Sequence, residues 1–300
     1  MSTKPVVVIG SSNMDLVIRS GHIPRPGETV LGGEFVMVAG GKGANQAVAA
    51  ARLGARTWFV ARVGDDPFGE KMRANFAAEG IETGYVTVDK KHASGVATIT
   101  VDSSGENAIV VAPGANAALC PEDIRAAAEL IRSADSVLMQ LEIPLETVME
   151  AAAVAAEAGV RVILDPAPAR ELPRELLQNV SLLTPNETEA EMLTGIGGDT
   201  LEAAREQASA LLAMGVEAVL ITRGARGSLL AGSNGEKCFD AQTVTPVDST
   251  AAGDCFNGAL AAKLATGATL DEAIVFAGKA AAISTTRVGA QDSLPGAGEV

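Results

Sequence analysis

The chain has 300 residues, of which 47% are hydrophobic and 20% are charged, and its formal net charge is −14. This composition is typical of a globular protein that buries a substantial core, as one large α/β domain or as two smaller ones. Such an acidic balance argues against nucleic acid or an anionic membrane as a partner, because both require a basic surface on the protein.

Cysteine spacing and apolar runs bear on the compartment. Cys120, Cys238 and Cys255 are isolated, without the spacing of a zinc site or a disulfide framework. The apolar stretch near the start is too short for a signal sequence, and no apolar run reaches the roughly 18 residues of a membrane span. We therefore expect a reduced, cytoplasmic protein.

Short β-branched runs alternate with Ala-rich stretches along the chain. The predicted strands are 6–9, 57–60, 136–139, 160–164, 181–183 and 218–221. The predicted helices are 44–53, 68–79, 121–132, 145–157, 187–193 and 201–214. The alternation predicts an α/β fold with a central, mostly parallel sheet and helices on both faces. Ligands would then collect at the carboxyl ends of the strands.

Two segments interrupt this rhythm. Residues 16–38 contain a Pro- and Gly-rich turn between short strand-like pieces, and residues 95–112 read as a hairpin. We expect a single domain over residues 1–300 in which these segments form a small β-sheet lid over the strand ends. Ordinary surface hairpins remain the alternative.

A glycine-rich element, Gly40-Gly41-Lys42-Gly43, opens the first long helix. It is not a Walker A loop, because glycine follows the lysine where Ser or Thr would hold magnesium. Together with Lys42 and Asn45, the polar residues Asn13 and Asp15 after the first strand could bind the hydroxyls of a sugar. Taken locally, a turn is the simpler reading of Asn13 and Asp15.

A second small-residue run, 249–253, leads into the apolar stretch 256–264 and indicates a helix start with Asp254 in the first turn. Free backbone N–H groups and the helix dipole attract an anion there. A carboxylate beside an anion site fits a base that takes a proton from the attacking group. The alternative is that Asp254 only complements the dipole.

Residues 40–54, 248–260 and 184–189 carry a resemblance to the ribokinase (PfkB) carbohydrate kinase family, and the likeness extends from 8–15 to 287–291. The resemblance implies ATP-dependent phosphorylation of D-ribose at its primary 5-hydroxyl, giving ribose 5-phosphate. Asp254 would be the base, with the backbone N–H groups of Ala251, Ala252 and Gly253 as an anion hole.

The resemblance also implies the ligand contacts. Ribose would be held by Asn13, Asp15, Gly41, Lys42, Asn45 and Glu142. ATP would lie along Asn186, Thr222, Arg223, Gly224, Ala225, Arg226, Gly227 and Gly253. Glu189 would help to position Mg²⁺ through water.

A monovalent cation site is implied as well, with K⁺ held by Asp248, Thr250, Ser284, Arg287, Gly289 and Ser293. The alternative is that Asp248 merely caps its loop. Pairing of two lids in a homodimer would cover the apolar face and edges of the lid sheet.

The sequence departs from the family pattern in two places. Gly278 stands where a polar residue near the adenine is common, and the chain ends at Val300 where the family usually continues into a terminal helix. The second departure would either expose apolar surface or loosen the cation loop. Two other functions remain open: a kinase for another small sugar or a nucleoside, and a non-catalytic sugar-binding protein, which the intact Asp254 and Gly253 disfavour.

Overall fold

A computed structural model describes residues 4–300 of the chain. Its strands are β1 Val6–Ile9, β2 Asn13–Arg19, β3 Phe35–Gly40, β4 Thr57–Gly64, β5 Glu82–Asp89, β6 Gly95–Val101, β7 Asn107–Ala112, β8 Ser136–Met139, β9 Arg161–Leu164, β10 Leu182–Leu183, β11 Ala218–Thr222, β12 Ser228–Gly232 and β13 Gly235–Phe239. Its helices are α1 Lys42–Arg52, α2 Pro67–Ala78, α3 Pro121–Ala126, α4 Ala128–Ser133, α5 Leu145–Glu157, α6 Arg174–Leu177, α7 Glu187–Thr194, α8 Leu201–Ala213, α9 Ala252–Leu264 and α10 Leu270–Ser284. Short 3₁₀ helices span Gly114–Ala118, Gly224–Arg226 and Gln291–Ser293.

Nine strands form the main sheet in the order β13-β12-β11-β10-β9-β8-β1-β4-β5. The strands from β11 to β5 are parallel, and β12 and β13 add an antiparallel hairpin at one edge. The predicted mostly parallel sheet is therefore confirmed.

Both faces of this sheet are covered by helices. Successive side chains of a strand point to opposite faces, and in β1 the side chains of Val7 and Ile9 enter one hydrophobic core while those of Val6 and Val8 enter the other. All four are fully buried. The central strands are therefore continuous apolar runs, because neither face of the sheet meets water.

The lid is a separate four-stranded sheet in the order β3-β2-β6-β7. It includes both predicted segments, but it begins earlier and extends further than 16–38, because β2 starts at Asn13 and β3 ends at Gly40. Residues 20–34 between those two strands form no strand or helix. Asn13 and Asp15 consequently lie on a lid strand, and the local reading of a turn is wrong.

Several elements differ from the prediction. The predicted helix 121–132 is divided into α3 and α4 at Ala127. Strands β5, β12 and β13 and helices α6 and α10 were not predicted. Strands β5 and β13 are the two edges of the sheet, and partial exposure there permits polar residues that weaken the apolar signal. No helix within residues 4–300 is long and apolar enough to cross a bilayer.

Candidate active site

The site is built around the start of α9. Ala251 precedes the helix in the left-handed conformation, with φ 58° and ψ 14°, and Asp254 lies in the first turn with 5% of its surface exposed. A side chain added at Gly253 would meet open space, so a ligand can approach the backbone there. The Ala252 N–H already donates to the Ser249 carbonyl oxygen at 3.2 Å. Between Ala252 and Gly253, Gly253 is therefore the better anion-hole donor.

Helix α1 packs directly against α9 and brings two amides to the carboxylate of Asp254. Asn45 Nδ2 donates to Asp254 Oδ2 at 2.9 Å, and Gln46 Nε2 donates to Asp254 Oδ1 at 3.0 Å. The close approach needs a glycine at 258, because a Cβ there would lie 2.6 Å from the Ala49 Cβ and from the Gln46 carbonyl oxygen. The glycine-rich element and the Asp254 segment, far apart in sequence, thus form one site.

One lysine faces several carboxylates, of which Asp165 and Asp254 are buried. Burial disfavours the charged Lys42 ammonium, but Asp254, Asp165, Glu142 and Glu189 outweigh this effect and raise the pKa of Lys42. Burial also raises the pKa of Asp254, against the opposing effects of Lys42 and the two amides, and it raises the pKa of Asp165 well above its ordinary value. A base with an elevated pKa suits proton transfer near neutral pH.

The predicted sugar-binding residues converge at the junction of the lid and α1. Glu142 Oε2 accepts from Ser11 Oγ at 2.5 Å and from the Lys42 backbone N–H at 3.0 Å. Asn13 Oδ1 accepts from Asn116 Nδ2 at 2.8 Å, which leaves the Asn13 nitrogen as the atom able to meet a ligand oxygen.

Gly41 and Asn45 complete this group. Gly41 has φ 89°, and a Cβ at this position would lie 2.7 Å from the Asn13 backbone nitrogen, so only glycine fits. The buried Asn45 Oδ1 has no hydrogen-bond partner among residues 4–300. An unpaired buried acceptor is costly, and it marks a place where a ligand donor would fit.

A cavity of about 680 Å³ lies beside the start of α9. Thr222, Gly224, Ala225 and Gly227, four of the predicted ATP residues, line it. Gly278 also lines it, and a side chain added there would have free space. Apolar walls come from residues such as Phe239, Val244, Phe256 and Ile274.

The side chains of Arg223 and Arg226 do not line this cavity. Arg223 Nε lies 3.2 Å from Glu187 Oε1, and Arg226 pairs with Glu187 at 2.5 Å and with Asp199 at 2.7 Å. These contacts join the 3₁₀ turn Gly224–Arg226 to the start of α7. The two arginines therefore hold the wall of the cavity and do not point into it.

A smaller cavity of about 210 Å³ contains Lys42, Asp165, Asn186, Glu189 and Asp254. Thr222, Ser249, Ala252 and Gly253 line both cavities. The two spaces therefore meet at the small residues before Asp254. A long ligand in the larger cavity could extend over Gly253 to the carboxylate.

The magnesium candidate Glu189 belongs to a capping box at the start of α7. Glu189 Oε2 accepts from the Asn186 backbone N–H, and Asn186 Oδ1 accepts from the Glu189 N–H, both at 2.8 Å. No group of three or more His, Cys, Asp or Glu side chains within residues 4–300 is arranged as a metal site. The water-mediated role of Glu189 toward Mg²⁺ stays a prediction.

The potassium candidates are only partly brought together by their side chains. Asp248 Oδ1 accepts from Thr250 N–H at 2.9 Å, and Oδ2 accepts from Gly289 N–H at 2.9 Å. The buried hydroxyls of Ser284 and Ser293 donate to the nearby carbonyls of Ala281 and Ala290. The Arg287 side chain pairs with Glu299, so only its backbone is available to a cation.

Sequence reasoning missed several polar residues of the site. Gln140, Asp165 and Thr184 each follow the last residue of a parallel strand directly, and all three are buried. Polar residues at the carboxyl ends of predicted strands were the available signal. Gln46 lies three residues after the glycine-rich element 40–43 and was given no role.

Comparisons with known proteins agree with this geometry. Residues 3–297 match the family described as pfkB family carbohydrate kinase. Ribokinase of Haemophilus influenzae is 44% identical over 292 residues, covering 97% of this chain and 95% of that protein. Deoxyribokinase of Salmonella typhi is 38% identical over 291 residues, covering 97% and 95%. The structure of Arabidopsis thaliana ribokinase complexed with ribose and ATP superposes with a TM-score of 0.93 at 33% identity, covering 99% of this chain and 97% of that one. This chain belongs to the pfkB family of carbohydrate kinases.

Proposed function

We propose that this enzyme transfers the γ-phosphoryl group of ATP to the primary 5-hydroxyl of D-ribose. The observation that carries the proposal is the meeting of the two cavities at Ala252 and Gly253, directly beside Asp254. A nucleotide in the larger cavity would extend its last phosphates over Gly253 to Asp254 in the smaller one, where a sugar held between the lid and α1 could present its hydroxyl. The ribokinase relatives and the related complex with ribose and ATP support the choice of substrates.

In this proposal Asp254 accepts the proton of the attacking hydroxyl. Its carboxylate is buried, and Asn45 and Gln46 each hold one oxygen, so its plane is fixed before substrate arrives. The Gly253 N–H, in the first turn of α9, would stabilise negative charge on the transferred group. Lys42 would balance the carboxylates around it.

Ribose would occupy the space between the lid and α1. A sugar hydroxyl would give the unpaired Asn45 Oδ1 the donor it lacks. Asn13 would donate through its nitrogen, and Asp15 and Glu142 would accept from hydroxyls. A polyol site lined with such buried groups rejects ligands that leave them unpaired.

ATP would occupy the larger cavity. Its base would lie between apolar walls such as Phe239 and Ile274, near Gly278, and its phosphates would run past Thr222 toward Gly253. Asn186 lines the smaller cavity, where the last phosphates would lie. Arg223 and Arg226 would support the cavity wall through Glu187.

We assign Mg²⁺ to the smaller cavity, near Glu189 and Asp165. Oxygen ligands and retained water suit this ion, and it would neutralise phosphate charge during transfer. The acidic lining of this cavity is consistent with such a cation.

We assign K⁺ to the loop that joins Asp248 and Thr250 to Gly289. Backbone carbonyls and one carboxylate are hard oxygen ligands of the kind that an alkali cation takes. A cation behind residues 251–253 would steady the anion hole.

We further propose a homodimer that pairs the lids, since β7 is exposed along its whole length. A cytoplasmic location remains our expectation, because all three cysteines are free, as is usual in reducing compartments.

A kinase for a related sugar is the second candidate, since deoxyribokinase is also a relative. ATP consumption measured with ribose, 2-deoxyribose, other pentoses, hexoses and nucleosides separates the two. Highest kcat/KM for ribose is expected, and a clear preference for another acceptor would replace ribose in the proposal.

Replacement of the base tests the chemistry itself. Asp254→Asn should lower kcat by roughly 100-fold to 10,000-fold, the range for loss of a general base, while ribose binding by calorimetry persists. The amide is isosteric, so the fold should remain. An unchanged kcat would contradict the role given to Asp254.

A further inference from the structure

Two buried glutamines lie behind the carboxylate of Asp254. Gln46 on α1 and Gln140 after β8 are both fully buried. Gln46 Nε2 donates to Asp254 Oδ1 at 3.0 Å and also to Asp165 Oδ2 at 2.8 Å. One amide nitrogen therefore holds two carboxylates, one directly after β9 and one in the first turn of α9.

The two carboxylates and Gln140 together set the orientation of the Gln46 amide. Gln140 Nε2 donates to Gln46 Oε1 at 2.6 Å. If the Gln46 amide were turned over, its oxygen would face two carboxylates and its NH₂ would face the NH₂ of Gln140. Only the observed orientation pairs donors with acceptors.

The consequence for Asp254 is that both of its oxygens are restrained. Asn45 holds Oδ2 and Gln46 holds Oδ1, so the carboxylate cannot rotate about its last bond without losing a hydrogen bond. Asn45 is also a sugar candidate, whereas Gln46 faces the protein interior. Gln46 is thus the contact whose removal changes the base and leaves the proposed sugar contacts in place.

We propose that Gln46, oriented by Gln140, is a positioning residue for phosphoryl transfer. It fixes the plane of the Asp254 carboxylate and, through one nitrogen that donates to both Asp254 and Asp165, favours the charged form of the base. The inference rests on the proposed role of Asp254 as the base.

The charged surroundings of Asp254 come from several elements. Lys42 lies on α1, Glu142 follows β8, Asp165 follows β9 and Glu189 lies on α7, while the buried thiol of Cys255 is the next residue along α9. Burial raises the pKa of Asp254, whereas Lys42 and the Asn45 and Gln46 hydrogen bonds lower it. Loss of the Gln46 donor therefore raises this pKa further.

The test is Gln46→Met, which keeps the side-chain length and removes the amide. We expect kcat to fall about 10-fold to 100-fold through misplacement of the base, with the KM for ribose changed less than about threefold. The acid limb of the kcat profile should move up by roughly one pH unit. Kinetics from about pH 5 to pH 9 with saturating ATP measure both effects.

Gln207→Met is the matched control. Gln207 on α8 is also fully buried, and its Nε2 donates to the Ile196 carbonyl oxygen at 2.8 Å, away from the site. This variant should lose stability without moving the acid limb. Gln140→Met should move the acid limb in the same direction as Gln46→Met but by less. The Gln46 amide is then still present and has lost only the hydrogen bond from Gln140.

An unmoved acid limb in Gln46→Met, or an unchanged kcat, overturns the inference. If Gln46→Met does not fold, Gln140→Met decides in the same way. Asp254→Asn, measured in parallel, distinguishes a wrong assignment of the base from a wrong assignment of Gln46. Retained turnover in Asp254→Asn removes the base itself, whereas lost turnover there with an unmoved limb in Gln46→Met removes only the role of Gln46.

Discussion

Asp15 is a partly buried carboxylate whose surroundings disfavour its charged form before any ligand binds. It lies on β2 opposite the end of β3, and its side chain packs over Gly40, where any Cβ would collide with the carboxylate. Burial and then the nearby Glu142 raise its pKa from 3.8 to about 6. The neutral form of Asp15 therefore predominates in the free enzyme below about pH 6.

We predict that ribose binding weakens as pH falls through about 6, because protonated Asp15 loses its charge as an acceptor for sugar hydroxyls. The KM for ribose should rise by up to about tenfold per pH unit below that value. Asp15→Asn should bind ribose weakly with little pH dependence between about pH 5 and 8. A KM that rises equally in both proteins would assign the effect to another group.

Through Asp15, the free energy of unfolding changes with pH in the opposite direction to that for a salt-bridged carboxylate, whose pKa is lowered by folding. Between pH 3.8 and about 6 the folded chain binds the Asp15 proton and the unfolded chain releases it, so the contribution of Asp15 to stability decreases as pH rises through this window. Asp15→Asn should therefore gain in Tm relative to the parent as pH increases from about 4 to 6.

The backbone of Ala251 is strained. Its φ of 58° is the only positive value among the non-glycine residues of the described chain, and this conformation costs roughly 1–2 kcal/mol. Packing of α9 against α1 and α10 maintains it. The result is a sharp turn that directs the first N–H groups of α9 toward the cavities.

At the scale of elements, the loop before α9 depends on the C-terminal segment. Asp248 accepts from Gly289, and the backbone N–H of Val247 donates to the Thr285 carbonyl oxygen at the end of α10. Arg52 at the end of α1 donates to the carbonyls of Gln291 and Leu294, which fastens the last residues to the core. The loop is therefore held by contacts with the C-terminal segment. Asp248 also caps the loop itself, because its Oδ1 accepts from the Thr250 N–H.

We predict that potassium raises kcat well beyond sodium at equal ionic strength. The smaller sodium ion would require the surrounding carbonyls to contract, and a loop fastened at both ends resists this. Asp248→Asn should reduce the potassium effect and leave ribose affinity largely unchanged, because Asp248 lies behind the anion hole. Initial rates in the two chloride salts measure the effect, and equal rates for the parent enzyme would remove the ion from the mechanism.

At the scale of the whole molecule, the lid leaves apolar side chains exposed. Val110 is 70% exposed and Ile109 and Phe35 are each 53% exposed, although all three lie on strands. Strands β3 and β7 are also the free edges of the lid sheet. Exposed apolar strands at sheet edges favour pairing with another chain.

We predict a homodimer at micromolar concentration, built from two lids. Val110→Lys should shift the protein to monomer and raise the KM for ribose, because an unsupported lid closes less well over the sugar. Met192→Lys, which changes a similarly exposed residue on α7, should leave the mass unchanged. Light scattering of the three proteins is the measurement, and a monomeric parent would exclude the dimer.

Local patterns in the sequence were sufficient for the parallel sheet, most of its helices and the start of α9, because apolar period and helix-start residues act over a few positions. They also singled out Asp254, Lys42 and Asn45 as candidates, since glycine-rich and small-residue loops are visible in a linear chain, and the fold brings these three residues together.

Tertiary structure decided what those residues face. Only the folding of β9 beside β8 and of α1 against α9 brings Asp165, Gln46 and Gln140 to the Asp254 carboxylate, across more than 200 residues of sequence between Gln46 and Asp254. The ion pairs with Glu187 likewise turn Arg223 and Arg226 away from the cavity. The sequence alone determined the type of chemistry, because loops with special backbone requirements are local. The pairing of buried polar groups required the fold, because hydrogen bonds and burial depend on which distant segments become neighbours.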